Sequence, residues 1–124
     1  MLDHEGFALC ETVAITRGID ESFPGVILQP VDARDRARMM QVIGILDSYG
    51  YRPMITEPFL QRALRPAFGE QSDEERITAA VPQSEKALDA ILSVQGSDEW
   101  AAGAFSLADL YLAPMSATRS PLEN

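Results

Sequence analysis

The stretch Ala102-Gly103-Ala104-Phe105-Ser106-Leu107-Ala108-Asp109-Leu110 constrains this chain more than any other. Ser106 followed three residues later by Asp109 reads as a capping box. In that arrangement the Ser hydroxyl accepts from the amide of Asp109, and the Asp carboxylate accepts from the amide of Ser106. Phe105 before the cap and Leu110 at the fourth helical position complete a hydrophobic staple that sets the entry angle of the chain. Gly103 permits a sharp turn just upstream. Leu107, Leu110, Tyr111 and Leu112 follow at once, so a helix that starts this way belongs in a core. The pattern is a folding signal and by itself specifies no chemistry.

A chain of 124 residues that is 46% apolar is long enough for one domain with a real core and too apolar for disorder. Its net charge of −9 repels phosphates, which argues against nucleic acid as a partner and against an anionic membrane surface. No apolar run approaches the roughly 20 residues that span a bilayer. The opening Met1-Leu2-Asp3-His4-Glu5-Gly6 lacks the flank and apolar run of a signal peptide. The expectation is a soluble cytoplasmic protein. A single cysteine, Cys10, excludes an internal disulfide and a cysteine-only metal site.

In chain order, Leu2 to Leu9 reads as two short strands around a turn at Glu5-Gly6, or as a segment lying against helices. From Cys10 to Ser22 the pattern is helical, with Gly18 costing about 1 kcal/mol against Ala in mid-helix. Phe23-Pro24-Gly25 ends that helix, and Val26 to Pro30 is a connector. Asp32 caps the next helix, whose stripe is Met39, Val42, Ile43, Leu46 and Tyr49, with Arg34, Asp35, Arg36 and Arg38 facing out. Tyr49-Gly50-Tyr51-Arg52-Pro53 interrupts or bends it. Ile55, Phe59, Leu60, Ala63 and Leu64 form another stripe, stopped by Pro66. Ser72 with Glu75 reads as a second capping box, opening a helix striped with Ile77, Ala80, Val81, Ser84, Leu88, Ile91 and Leu92 and bent at Pro82. Gln95-Gly96-Ser97 ends it. Pro114 limits or kinks the helix from Ser106, and residues from Ser116 read as a frayed tail. The sum is about five helices in a bundle.

Few residues carry chemistry. His4 between Asp3 and Glu5 has no second histidine to make a metal site, so a solvated turn is expected, and no metal. Cys10 reads as a buried small apolar residue. Arg34, Arg36 and Arg38, interleaved with Asp32 and Asp35, read as a solvated, salt-bridged face. Glu11-Thr12 is the pair that stands out, because it opens a helix beside free amides and a positive dipole end. Thr12 suits a substrate carboxylate and Glu11 an ammonium group, as on an amino-acid-like ligand. An ordinary polar helical turn accounts for the same two residues.

Read together, Leu2 to Ile15, Ile19-Asp20-Glu21-Ser22-Phe23-Pro24-Gly25 and Ala102 to Asp109 resemble the glutathione S-transferase family. The first looks like the family's last hairpin and the Glu-Ser pair that opens its third helix, with Thr12 keeping the hydroxyl. The last looks like the capping box of its helical domain. The resemblance implies a mostly α fold, a helical bundle of the glutathione transferase C-terminal domain type, after a short remnant of a thioredoxin-like domain. It places that remnant at residues 1–25 and the helical domain at 26–124, truncated at both ends. It implies glutathione as co-substrate, held by Glu11 and Thr12, and conjugation of its thiol to a hydrophobic electrophile. The thiol-activating residue then lies outside this chain, and residues Met39 to Ile43 line the electrophile site. A homodimer is also implied. The alternative on the same fold is a non-catalytic binding or assembly module.

Overall fold

The first nine residues form the expected hairpin, β1 (Leu2–His4) and β2 (Phe7–Leu9), paired antiparallel with Leu2 opposite Leu9 and His4 opposite Phe7. Glu5 (φ 53°) and Gly6 (φ 84°) both take the left-handed conformation that a two-residue hairpin turn demands. The Gly6 amide donates to Asp3 Oδ1 at 3.1 Å. In the computed structural model, which describes residues 1–117, the hairpin leans on the helix that follows it, α1 (Thr12–Ser22). Gly18 is the reason it can. A Cβ there would sit 3.2 Å from the Leu9 side chain, so the residue that costs helix propensity provides the space for β2.

The connector is stitched back onto α1. Asp20 accepts from the amides of Leu28 (2.8 Å) and Gln29 (3.1 Å), and Arg17 Nε donates to Gln29 Oε1 at 3.0 Å. Asp32 then caps α2 (Ala33–Ile45), its Oδ1 accepting from Arg34 and Asp35. The arginines after it do not make the salt-bridged face expected of them. Arg36 instead donates to the carbonyls of Pro30 and Val31 and tightens the turn into the helix.

The chain does not break at Tyr49–Pro53. α3 (residues 46–67) continues α2 with right-handed helical backbone throughout. It does so by widening. Leu46–Gly50, Arg52–Thr56 and Leu60–Leu64 are π-helical turns, in which Tyr51, Glu57 and Arg65 donate to the carbonyls of Leu46, Arg52 and Leu60. Prolines 53, 58 and 66 lie within or just beyond these turns. A proline lacks the amide for the ordinary ladder and crowds the carbonyl four residues back, and a widened turn relieves both. The widening also rotates the face that is buried. Phe59 and Leu64 of the expected stripe are exposed, as is Tyr49, whereas Gly50, Pro53, Met54, Glu57 and Gln61 face inward. Glu57 meets Arg76 at 3.3 Å and Arg52 at 3.7 Å.

Gln61 anchors the next helix. Its Oε1 accepts from the Asp73 amide at 3.1 Å and from Arg65. Asp73, not Ser72, caps α4 (Glu74–Gln95), accepting from the Arg76 amide, and Ser72 donates to Glu74 instead of bracketing Glu75. Hydrogen bonds from Arg62 and Ser72 hold the Glu74 carboxyl below the usual carboxylate range. α4 runs on through Pro82 and ends at Gly96, whose φ of 60° suits glycine. Its buried line is Ala80, Ala87 and Ile91, while Val81 and Leu92 stay exposed.

α5 (Leu107–Ala117) runs on through Pro114, so Ser116 is helical and not tail; the rest of the expected tail lies outside the described residues. Half of its capping box forms as expected: the Ser106 amide donates to Asp109 Oδ2 at 2.9 Å. The other half is replaced. The Ser106 hydroxyl donates to the same carboxylate, and Asp109 Oδ1 takes the Ala101 amide at 2.9 Å. Phe105, expected as a staple, packs edge-on against Trp100 with ring centroids 4.9 Å apart. The core lies where α2, α4 and α5 meet, built on Met39, Val42, Ile43, Leu46, Ile91 and Ala108. The chain is thus mostly helical with one two-stranded sheet.

Candidate functional site

Glu11 is one of two non-glycine residues with positive φ among the described residues, the other being Glu5 in the hairpin turn. Glu11 stands at the N-cap of α1 with φ 68° and ψ 127°, a combination that costs an ordinary side chain on the order of 1–3 kcal/mol. That geometry earns no cap, because the Glu11 side chain makes no hydrogen bond to the helix start. The carboxylate and the first amides of α1 therefore remain open to a ligand. Thr12 follows as the first helical residue, and both residues are exposed.

One turn later Thr16 ties α1 to α5. Its Oγ1 lies 2.9 Å from the Tyr111 hydroxyl and 2.9 Å from the Thr12 carbonyl oxygen. Beneath this tie a cavity of about 460 Å³ opens between α1, α3 and α5. Thr12 and Thr16 form one edge, Asp47 and Tyr51 of α3 the second, and Leu110 and Tyr111 of α5 the third. Thr12, the first residue of α1, is thus shared between the helix start and the cavity lining.

The residues expected to line an electrophile site do not. Met39 and Val42 are 0% exposed and Ile43 is 1% exposed, which makes them core. The wall is instead one to two turns further along, at Asp47 and Tyr51. The sequence did carry a signal for this pair: an acid and an aromatic four residues apart share a helix face. The expected interruption or bend at Tyr49–Pro53 hides that shared face, because it leaves the helical phase across it undefined. Cys10, expected to be buried, is exposed. His4 stacks edge-on against Phe23 with ring centroids 4.9 Å apart. Among the described residues no group of three or more His, Cys, Asp or Glu is placed to hold a metal ion, and no helix is long and apolar enough to cross a membrane.

No family model matches the chain, and no curated protein does. A solved structure of glutathione S-transferase III in its apo form is similar over 94% of this chain, with a TM-score of 0.71 and 24% sequence identity. The chain spans 58% of that protein's length. The chain therefore has the glutathione S-transferase fold over the part of that protein it spans.

Proposed function

We propose that this chain is part of a glutathione transferase, with residues 1–25 closing a thioredoxin-like glutathione-binding domain and residues 26–124 forming the helical domain. Glutathione is the co-substrate, and Glu11 and Thr12 hold its γ-glutamyl end. The strained backbone at Glu11, beside open helix amides and one residue before the cavity-lining Thr12, is the observation that carries this reading. Thr12 offers its hydroxyl and amide to the γ-glutamyl carboxylate, and Glu11 faces the ammonium. The thiol is activated by a group outside this chain, through a hydrogen bond that favours the thiolate. The thiolate attacks a hydrophobic electrophile lodged in the cavity between α1, α3 and α5. A cytoplasmic location fits this chemistry.

Calorimetric titration of the protein with glutathione tests the site. Saturable binding is expected, weakened at least about ten-fold by Thr12→Val, equivalent to about 1.4 kcal/mol. Titration curves indistinguishable from dilution would end the proposal. Glu11→Gly separates strain from recognition. Glycine adopts φ 68° without penalty, so the melting temperature rises while glutathione affinity falls. A variant that loses stability contradicts the strained-site reading.

We also propose a homodimer. A groove of about 430 Å³ between α2, α3 and α4 is lined by Ile45, Ala87 and Ala90, with Tyr49 beside it 69% exposed. This groove equally suits the assembly-module reading, in which a second copy of the chain is the sole ligand. Tyr49→Glu is expected to shift the sedimentation coefficient of a dimer to that of a monomer, and an unchanged dimer removes this face from the interface.

A further inference from the structure

We infer that the cavity between α1, α3 and α5 selects an electrophile carrying a positive charge, and that Asp47 is the residue that selects it. The inference rests on the reading of this cavity as the second-substrate site and adds the chemical class of that substrate.

Asp47 and Tyr51 both line the cavity from α3. They lie on and just after its first π-helical turn, Leu46–Gly50, where the Tyr51 amide reaches back five residues to the Leu46 carbonyl. The Asp47 carboxylate has no hydrogen-bond or ion-pair partner among the described residues and is exposed. Elsewhere the acidic groups that line surface depressions are paired. Glu57, in the depression between α3 and α4, is held by Arg52 and Arg76, and Asp20, beside Phe23, is held by the Leu28 and Gln29 amides. Asp47 faces its cavity uncompensated.

The surroundings favour a cation further. Among the described residues no Lys or Arg lines the cavity, and the remaining wall is Leu, Pro, Met, Thr and two Tyr rings. Asp47 is solvent-exposed, so its pull on a cation is that of a surface carboxylate with no competing partner among the described residues, and it is felt most at low ionic strength. Tyr51, 51% exposed, offers a π face to the same charge, and the Tyr111 hydroxyl is held aside by Thr16. The net charge of −9 raises the local concentration of cations around the whole chain. An apolar body with an ammonium or similar cationic group complements every one of these features. An anionic one meets repulsion at Asp47.

Three probes of one size test this on the 124-residue chain: 2-phenylethylammonium, 2-phenylethanol and phenylacetate. Binding is followed by chemical shifts of Thr12, Leu110 and Met115, with glutathione titrated separately. The expected order is ammonium first, alcohol about ten-fold weaker and carboxylate weakest, a gap of about 1.4 kcal/mol per ten-fold step. The preference shrinks as salt rises. Asp47→Asn makes the ammonium and the alcohol equal, and Asp47→Lys inverts the order. Equal affinities in the unaltered protein, or a preference that survives Asp47→Asn, overturn the inference and leave the cavity as a neutral apolar site. Absence of any probe-induced shift at these three residues overturns the cavity reading, and the inference falls with it.

Discussion

Replacing Asp109 with Ala is expected to lower stability by about 3 kcal/mol, well beyond the roughly 1 kcal/mol of an ordinary helix cap. The excess comes from the second oxygen. Asp109 accepts from the Ser106 amide and hydroxyl with one oxygen and from the Ala101 amide with the other. Ser106 is 0% and Ala101 2% exposed, so water cannot replace the lost acceptor at either amide. Leaving buried donors unsatisfied costs about 1–3 kcal/mol each. For a chain of 124 residues this corresponds to a fall in melting temperature of about 10 °C. Asp109→Asn restores one acceptor and turns a donor toward the other amide, so it recovers only part of the loss. A melting temperature within 3 °C of the unaltered protein would show that the clamp is not formed.

A comparable loss is expected from a residue that the resemblance had placed in a binding site. Ile43 is 1% exposed and packs in the core where α2, α4 and α5 meet. Truncation to Ala removes three buried carbons and leaves a cavity, at a cost of about 3 kcal/mol. On the proposed site, with glutathione at Thr12 and the cavity probes at Asp47 rather than at Ile43, both bind the folded Ile43→Ala protein as before. Denaturant unfolding and calorimetry on the same sample check both halves. Weakened binding with unchanged stability would return Ile43 to the site wall.

These two positions illustrate how legibility varied along the chain. The cap at Ser106 and Asp109 was readable because its partners lie three residues apart, and local spacing is what a sequence displays directly. The Ala101 amide, eight residues from Asp109, was not readable, since nothing local predicts that the preceding loop folds under the helix. The same limit explains Gly18. Its cost to the helix is local and evident, whereas the Leu9 side chain that needs the space arrives from the hairpin.

α3 was the element read least well. Pro53 argued for an interruption or bend and Pro66 for a stop, and a stripe counted at ordinary helical spacing placed Phe59 and Leu64 in the core. Widened turns let the helix continue and shift its phase, so the inward face passes to Met54, Glu57 and Gln61. The first two of these turns pack against both α4 and α5, a setting that local spacing does not display. The candidate site divides in the same way. Glu11 and Thr12 stood out as a polar pair at a helix start, but the wall of Asp47, Tyr51 and Tyr111 depends on three helices meeting.

The sequence by itself determined the helical class, the caps at Asp32 and Asp109 and the polar pair at the start of α1. All of these rest on contacts within a few residues, where side-chain chemistry and backbone geometry are directly coupled. The tertiary structure alone decided which face of α3 is buried, and that Asp47, without a partner among the described residues, borders the cavity beside Thr12. Those outcomes follow from burial, which is a property of the elements that meet a residue and not of the residues beside it in the chain.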